Sequence, residues 1–168
     1  MHVLVTARSG AGKSTVCSTL QEMNFPAFDA DRIDGLAGWV DVRSGHPTEV
    51  DYSKAIDKRK TKWLWAEPVL NDFLAANDSS ILCGSADNQV EFYPLFDRVI
   101  FLSIPPAEQL RRIHSRAEGE YGKAPGMAER IVTEQARLLV QSRELGATIM
   151  NAHRPPEAIA SDISKHLK

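Results

Sequence analysis

Val3-Leu4-Val5-Thr6-Ala7-Arg8-Ser9-Gly10-Ala11-Gly12-Lys13-Ser14-Thr15 is the stretch that decides how this chain folds. Val3 to Thr6 read as a strand. Behind Ser14-Thr15, Val16, Leu20 and Met23 recur at i, i+4 and i+7, an amphipathic helix that stops at Asn24 and Pro26. Between them lies a glycine-rich turn whose backbone N–H groups converge at a helix N-terminus, where the partial positive charge favours phosphate. Glycines permit that close approach. In this setting Ser9, Gly10, Ala11, Gly12 and Thr15 line the phosphates, Lys13 reaches the β- and γ-phosphates, and the Ser14 hydroxyl is a ligand for Mg²⁺. Gly-Lys-Ser/Thr with Gly10 also required arises by chance in only about one chain in a hundred, so nucleotide phosphate binding is expected. One departure stands out. Ala7 occupies the position where such loops begin with glycine, and its methyl group fits only where φ is not positive.

Outward from this loop, short apolar runs alternate with helical stretches. Strands are expected at 2–6, 26–29, 79–83, 97–103 and 147–150. Helices are expected behind Pro68 as far as Asn77, behind Pro105-Pro106 with Leu110 and Ile113, over 128–143, and behind Pro155-Pro156 with Ile159, Ile163 and Leu167. That alternation is the signature of a parallel sheet with crossover helices, hence an α/β fold. Two segments break it. Residues 35–60 form a long excursion after the second strand, and 117–126 carry three glycines and a proline between two helices, the composition of a mobile flap or of an ordinary surface loop.

At 168 residues, with 43% hydrophobic and 25% charged, the chain is one domain, 1–168. The 20 Lys and Arg against 22 Asp and Glu give a net charge of −2 without a basic block, so nucleic acid is not an expected partner. No apolar run approaches membrane-spanning length, and the sequence from Met1 runs directly into the glycine-rich stretch with no leader pattern; a cytoplasmic location is expected. Cys17 and Cys83 have no zinc or disulfide spacing and read as buried hydrophobes.

The subclass narrows by absence. Neither Asp-x-x-Gly nor Asn-Lys-x-Asp occurs, there is no Leu-Ser-Gly-Gly-Gln, and the 97–103 strand ends without a carboxylate. Asp29-Ala30-Asp31, at the end of the second strand, supplies one instead. Period-2 geometry puts both side chains on one side, Asp29 for the metal shell and Asp31 as the base for an attacking hydroxyl. The competing reading is two solvated loop carboxylates. Acceptor contacts are expected from Arg32, Asp34, Trp39 and Arg43 in the excursion, and from Gly84, Ser85, Asn88, Gln89 and Tyr93 beyond the third strand. Trp63 and Trp65 read as packing rather than a stacking platform.

Gly10-Ala11-Gly12-Lys13-Ser14-Thr15 with Asp29-Ala30-Asp31-Arg32 resembles the small P-loop kinases of the shikimate, gluconate and nucleoside-monophosphate kinase group, and the opening of dephospho-coenzyme A kinases. Gly84 to Gln89, Phe92-Tyr93-Pro94, Tyr121-Gly122-Lys123 and Arg154-Pro155 are similar to a bacterial branch of AAA or ATP-binding proteins. The resemblance implies a P-loop NTPase three-layer sandwich with a five-stranded parallel sheet in order 2-3-1-4-5. It also implies ATP as cosubstrate with Mg²⁺, a small-molecule acceptor, an acceptor-side insertion at about 35–60 and a lid at about 117–126. By position, the lid arginines of such kinases map onto Arg112 and Arg116, with Lys123 beyond, and Asn151 to Pro155 onto the segment flanking adenine, where Arg154 stacks on the base and Pro155 borders it. Arg116 is the cation expected at the transferring phosphoryl group. Neither the glycine run of shikimate kinases after the third strand nor the Ala-Leu-Lys of gluconate kinases is present. A monomer or weak homodimer carrying out ATP-dependent phosphoryl transfer is the expected protein; a kinase for nucleic-acid ends and a non-catalytic ATP-binding module are the alternatives.

Overall fold

The computed structural model describes residues 1–167. Five strands form one parallel sheet: β1 (His2–Thr6), β2 (Ala27–Asp29), β5 (Ser80–Cys83), β6 (Arg98–Ser103) and β7 (Thr148–Asn151), in the order β2-β5-β1-β6-β7. Two further strands, β3 (Ala37–Asp41) and β4 (Thr61–Trp65), pair antiparallel outside it. Counted without that hairpin, the parallel order is 2-3-1-4-5. Within the sheet His2 faces Ser80 and Val3 faces Arg98, so β1 is central and covered on both sides.

Alternation along each strand sorts the core into two layers. Val3, Val5, Ile81, Ile100 and Leu102 pack with Val16, Cys17 and Leu20 of α1 (Lys13–Glu22) and Ile159 and Ile163 of α5 (Pro156–Ser164). On the opposite face, Leu4 and Leu82 meet Leu70 of α2 (Glu67–Ala76), while Phe101 meets Leu138 of α4 (Met127–Glu144). Helix α3 (Pro106–His114) leads from β6 to the 117–126 segment. The helix starts follow the sequence closely. Pro68, Pro106 and Pro156 each sit in a first turn, where their missing N–H costs nothing.

The long excursion at 35–60 holds the first strand of this hairpin and the connection to the second. Trp39 stands opposite Trp63, and the Trp63-Leu64-Trp65 alternation is strand β4. Asp87 and Asn88 fasten that strand to the sheet side. Asp87 N–H donates to the Trp63 carbonyl at 2.7 Å and its carboxylate accepts from Trp63 N–H at 2.9 Å. The Asn88 amide accepts from Trp65 N–H and donates to Trp65 O, both at 3.0 Å. Trp65 is buried, stacked with Phe92 at 6.3 Å between centroids, and serves packing as expected.

Gln89 is likewise a strut. It is fully buried; its carbonyl accepts from Thr6 Oγ1 at 3.0 Å and Ala86 N–H at 3.1 Å, and its amide donates to Tyr93 Oη at 3.0 Å. Tyr93 Oη in turn pairs with Ser142 Oγ at 2.8 Å. Asn88, Gln89 and Tyr93 are therefore engaged in the scaffold and none of them lines the active-site cavity, which corrects their assignment as acceptor contacts. Replacing Gln89 by leucine strands the buried Thr6 hydroxyl and the Ala86 N–H and takes one of two partners from Tyr93 Oη, a loss of roughly 3 kcal/mol. The melting temperature is expected to fall by about 6–12 °C, measured by calorimetry. A change under 2 °C would refute the strut. Among the described residues, no helix is long and apolar enough to cross a membrane.

Candidate active site

The β1–α1 turn adopts the geometry that its glycines predict. Gly10 and Gly12 have φ of +87° and +94°, and a Cβ on Gly10 would lie 3.0 Å from Ile113 Cγ1. Ala7 is buried and outside the left-handed region, where Asn24 is the one non-glycine among the described residues, so the missing first glycine is accommodated without strain. Gly12 caps α1 without any side-chain bond, which leaves the first-turn N–H groups open to an anion. Two buried glutamines hold the turn from outside. Gln109 donates to Ser9 O at 2.8 Å, and Gln135 accepts from Arg8 N–H at 2.7 Å while donating to Leu102 O. Neither was legible as a loop anchor in the sequence; their only signal is an amide set among apolar neighbours.

The turn opens onto a cavity of about 660 Å³ lined by Ser9, Gly10, Ala11, Gly12, Lys13, Ser14 and Thr15. Lys13 Nζ donates to Arg8 O at 3.3 Å. Burial pushes its pKa down to about 8, partly opposed by the Asp31 carboxylate. Asp29 and Asp31 line the same cavity. The reason differs from strand alternation: β2 ends at Asp29, whose carboxylate accepts from Asp31 N–H at 3.0 Å, and one 3₁₀ turn over Ala30–Arg32 brings Asp31 round. Desolvation, then the Asp29 charge, raises the Asp31 carboxyl above the usual aspartate value. Arg32 and Asp34 point to solvent away from the cavity, and Arg43 is exposed in the hairpin loop, which corrects their placement as acceptor contacts.

Gly84 and Ser85 reach the cavity floor. A Cβ on Gly84 would collide with that of Ala30, so this glycine is demanded by packing beside the Asp29-Asp31 turn. From α3, Arg112 lies over Gly12, its Nη1 3.4 Å from a Cβ built there, with Nε bound to Glu108 at 2.8 Å. Arg116 donates to Tyr121 O at 2.7 Å and also lines the cavity. Lys123 does not. Its ammonium donates to His114 O at 2.9 Å and pairs with Glu118 at 3.1 Å, where it satisfies the C-terminal end of α3. Arg154 stands at the far end of the cavity, paired with Asp162 at 3.0 Å; the proline lining that end is Pro156, not Pro155.

The sequence singles out Trp39 for an acceptor contact but reads Trp63 as packing and passes over Tyr52 and Tyr121; the structure corrects Trp63 and makes the four one wall. Trp39, Tyr52, Trp63 and Tyr121 line the cavity together with Arg8 and Lys58. Trp39 meets Trp63 at 5.5 Å and Tyr121 at 6.2 Å, Tyr52 meets Tyr121 at 5.6 Å, and Trp39 Nε1 donates to Tyr52 Oη at 3.0 Å. The wall joins the hairpin to the 117–126 segment. Burial, with Glu134 and Asp87 close by, pushes the Tyr121 phenol up to about 12.

No cluster of three His, Cys, Asp or Glu side chains suits a metal among the described residues. A hydroxyl and a carboxylate beside a phosphate site are nevertheless the oxygen donors expected of Mg²⁺, which keeps waters and phosphate oxygens as its other ligands. Ser14 and Asp29 fit that part.

No curated protein sequence matches the chain significantly. Among solved structures it is similar to shikimate kinase from Aquifex aeolicus vf5, at 18% identity and a TM-score of 0.58, covering 99% of this chain and 96% of that one. Shikimate kinase from Acinetobacter baumannii in complex with shikimate matches at 17% and 0.62, covering 99% and 92%. Deoxyadenosine kinase from M. mycoides matches at 14% and 0.54, covering 99% and 98%. Identities this low speak for the fold, which is that of the small P-loop kinases. A family described as AAA domain matches residues 3–136 of the sequence, and to that family the chain belongs.

Proposed function

We propose that this protein is an ATP- and Mg²⁺-dependent phosphotransferase that moves the γ-phosphoryl group to a small hydroxyl- or phosphate-bearing acceptor. The observation that carries the reading is the convergence of Lys13, Ser14, Asp29, Asp31, Arg112 and Arg116 on one cavity. The shared fold of shikimate and deoxyadenosine kinases supports it.

The first-turn amides of α1 and Lys13 bind the β- and γ-phosphates. Ser14 and Asp29 would hold Mg²⁺, which would supply neutralisation of the phosphate charge. Asp31 takes the proton of the acceptor hydroxyl as its oxygen forms a bond to the γ-phosphorus. The bond to the β–γ bridging oxygen breaks, ADP leaves, and Asp31 returns the proton to solvent. Arg112 and Arg116 stabilise charge on the transferring group, with Arg116 on the 117–126 lid edge. Arg154 borders the adenine. We read the protein as cytoplasmic, as a monomer or weak homodimer, and as a single kinase domain whose partner is the acceptor molecule rather than nucleic acid.

A screen of hydroxylated metabolites and nucleotides for acceptor-stimulated ADP release tests this. At least one acceptor is expected to raise ADP production about tenfold or more above the acceptor-free rate. ATP bound without stimulation by any acceptor would instead mark a nucleotide-responsive binding module.

A further inference from the structure

The proposed phosphotransferase reading leaves the acceptor unnamed, and the aromatic wall bears on it. Hydroxyl-rich acceptors need many fixed hydrogen-bond partners, because each buried hydroxyl left unpaired costs affinity. This side of the cavity offers few. The Asn88 and Gln89 amides are engaged by β4 and the core, and beyond Asp31 and Ser85 this side is lined by the rings of Trp39, Tyr52, Trp63 and Tyr121 with two cations, Arg8 and Lys58. Trp63 presents a half-buried indole beside Asp31, Trp39 meets it edge-on, and Tyr121 comes in from the lid segment.

Behind the rings the charges do not balance. Asp87 takes Lys58 at 2.7 Å and Arg8 at 3.2 Å, while Glu134 lies 3.8 Å from Arg8 Nε and 3.7 Å from Arg130 Nε. Three cations thus share two carboxylates. Arg130 spends one further donor on the Ile56 carbonyl, yet the buried Nε of Arg8 and the Nε and Nη2 of Arg130 have no hydrogen-bond partner among the described residues. Unsatisfied guanidinium groups in a low-dielectric setting are costly and draw an anion. Arg8 and Lys58 both reach the cavity, and Lys58 also stands 4.9 Å over the Trp39 ring.

We infer that the acceptor is a small anion built on a planar ring, its ring against Trp63, Trp39 and Tyr121 and its carboxylate or phosphate drawn by Arg8 and Lys58. The hydroxyl presented to Asp31 receives the phosphoryl group. The opposite end of the cavity, at Ala152, Arg154, Pro156 and Ile159, is left for the base of the ATP. Nucleoside monophosphates and aromatic hydroxy acids share this chemistry, and separate arms distinguish them.

The wild-type protein with Mg·ATP is given four sets of acceptor: nucleoside monophosphates, aromatic hydroxy acids, the neutral nucleosides, and the non-planar anions shikimate and gluconate. Initial ADP release and quenching of tryptophan fluorescence are both recorded. One of the first two sets is expected to saturate, with KM about tenfold or more below its neutral or non-planar counterparts. Trp63→Leu is expected to raise that KM about tenfold and Trp63→Phe to restore most of it. Lys58→Met is expected to reduce the preference for the charged over the neutral form about tenfold. Turnover of neutral or non-planar acceptors alone overturns the acceptor class and leaves the phosphotransferase standing. If no acceptor is turned over, the kinase reading fails, and binding still decides: saturable, salt-sensitive quenching by planar anions upholds this inference, and its absence sinks it.

Discussion

Lys13→Ala is expected to weaken ATP binding by about 100-fold or more, the loss of roughly 3 kcal/mol that charged hydrogen bonds to phosphate supply. Titration calorimetry measures it directly. The pKa of this lysine adds a signature that a general loss of folding would not give. In the free protein burial brings it down to about 8, so a large fraction of the molecules lose the charge as pH rises through that value. A bound polyphosphate favours the charged form, so binding near pH 8 must take up protons and affinity must fall as pH rises beyond it. For the stability of the free protein the reverse trend is expected. Its unfolded chain holds the Lys13 proton up to the ordinary value of 10.5, so between about 8 and that value the unfolded state binds more protons and stability rises with pH. Both trends are expected to vanish in Lys13→Ala. Wild-type-like ATP affinity in that variant would remove this loop as the nucleotide site.

Much of this site could be read from the chain because its parts are contiguous. Residues 3–15 specify strand, turn and helix in one run, and the five parallel strands are short apolar segments flanked by prolines and glycines that mark the helix starts. The hairpin could not be read in the same way. Its strands are separated by residues 42–60, too far apart for a local turn signal, and Ala37-Gly38 at the start of β3 has weak strand propensity. The aromatic wall as a whole was hidden for a related reason, although Trp39 by itself is expected on the acceptor side. Trp39, Tyr52, Trp63 and Tyr121 come from four separate segments that only the hairpin and the 117–126 segment bring together. Asn88 and Gln89 misled in the opposite direction. Polar residues after a parallel strand commonly face a ligand, but here a strand edge and a buried tyrosine already take up their hydrogen bonds.

Asp31→Asn is expected to reduce acceptor-dependent kcat by 10²- to 10⁴-fold, the usual contribution of a positioned general base, while ATP binding persists. The amide keeps the shape and loses the capacity to take a proton. That split between turnover and nucleotide affinity separates Asp31 from Lys13, whose loss removes both. The carboxyl also predicts a pH dependence. Burial, then the neighbouring Asp29 charge, raises it above the ordinary aspartate value, and a base works only when deprotonated. The rate must therefore fall as pH drops through a point higher than a free aspartate would give, and that acid limb must disappear in Asp31→Asn. Asp29→Asn discriminates the two carboxylates. Removing its charge lowers the Asp31 pKa, which moves the limb to lower pH, and removing a metal ligand raises the Mg²⁺ concentration needed for half-maximal rate. If instead Asp29→Asn abolishes the limb while Asp31→Asn merely raises the Mg²⁺ requirement, the two aspartates have exchanged roles. A rate unaffected by either substitution would leave the acceptor without a protein base.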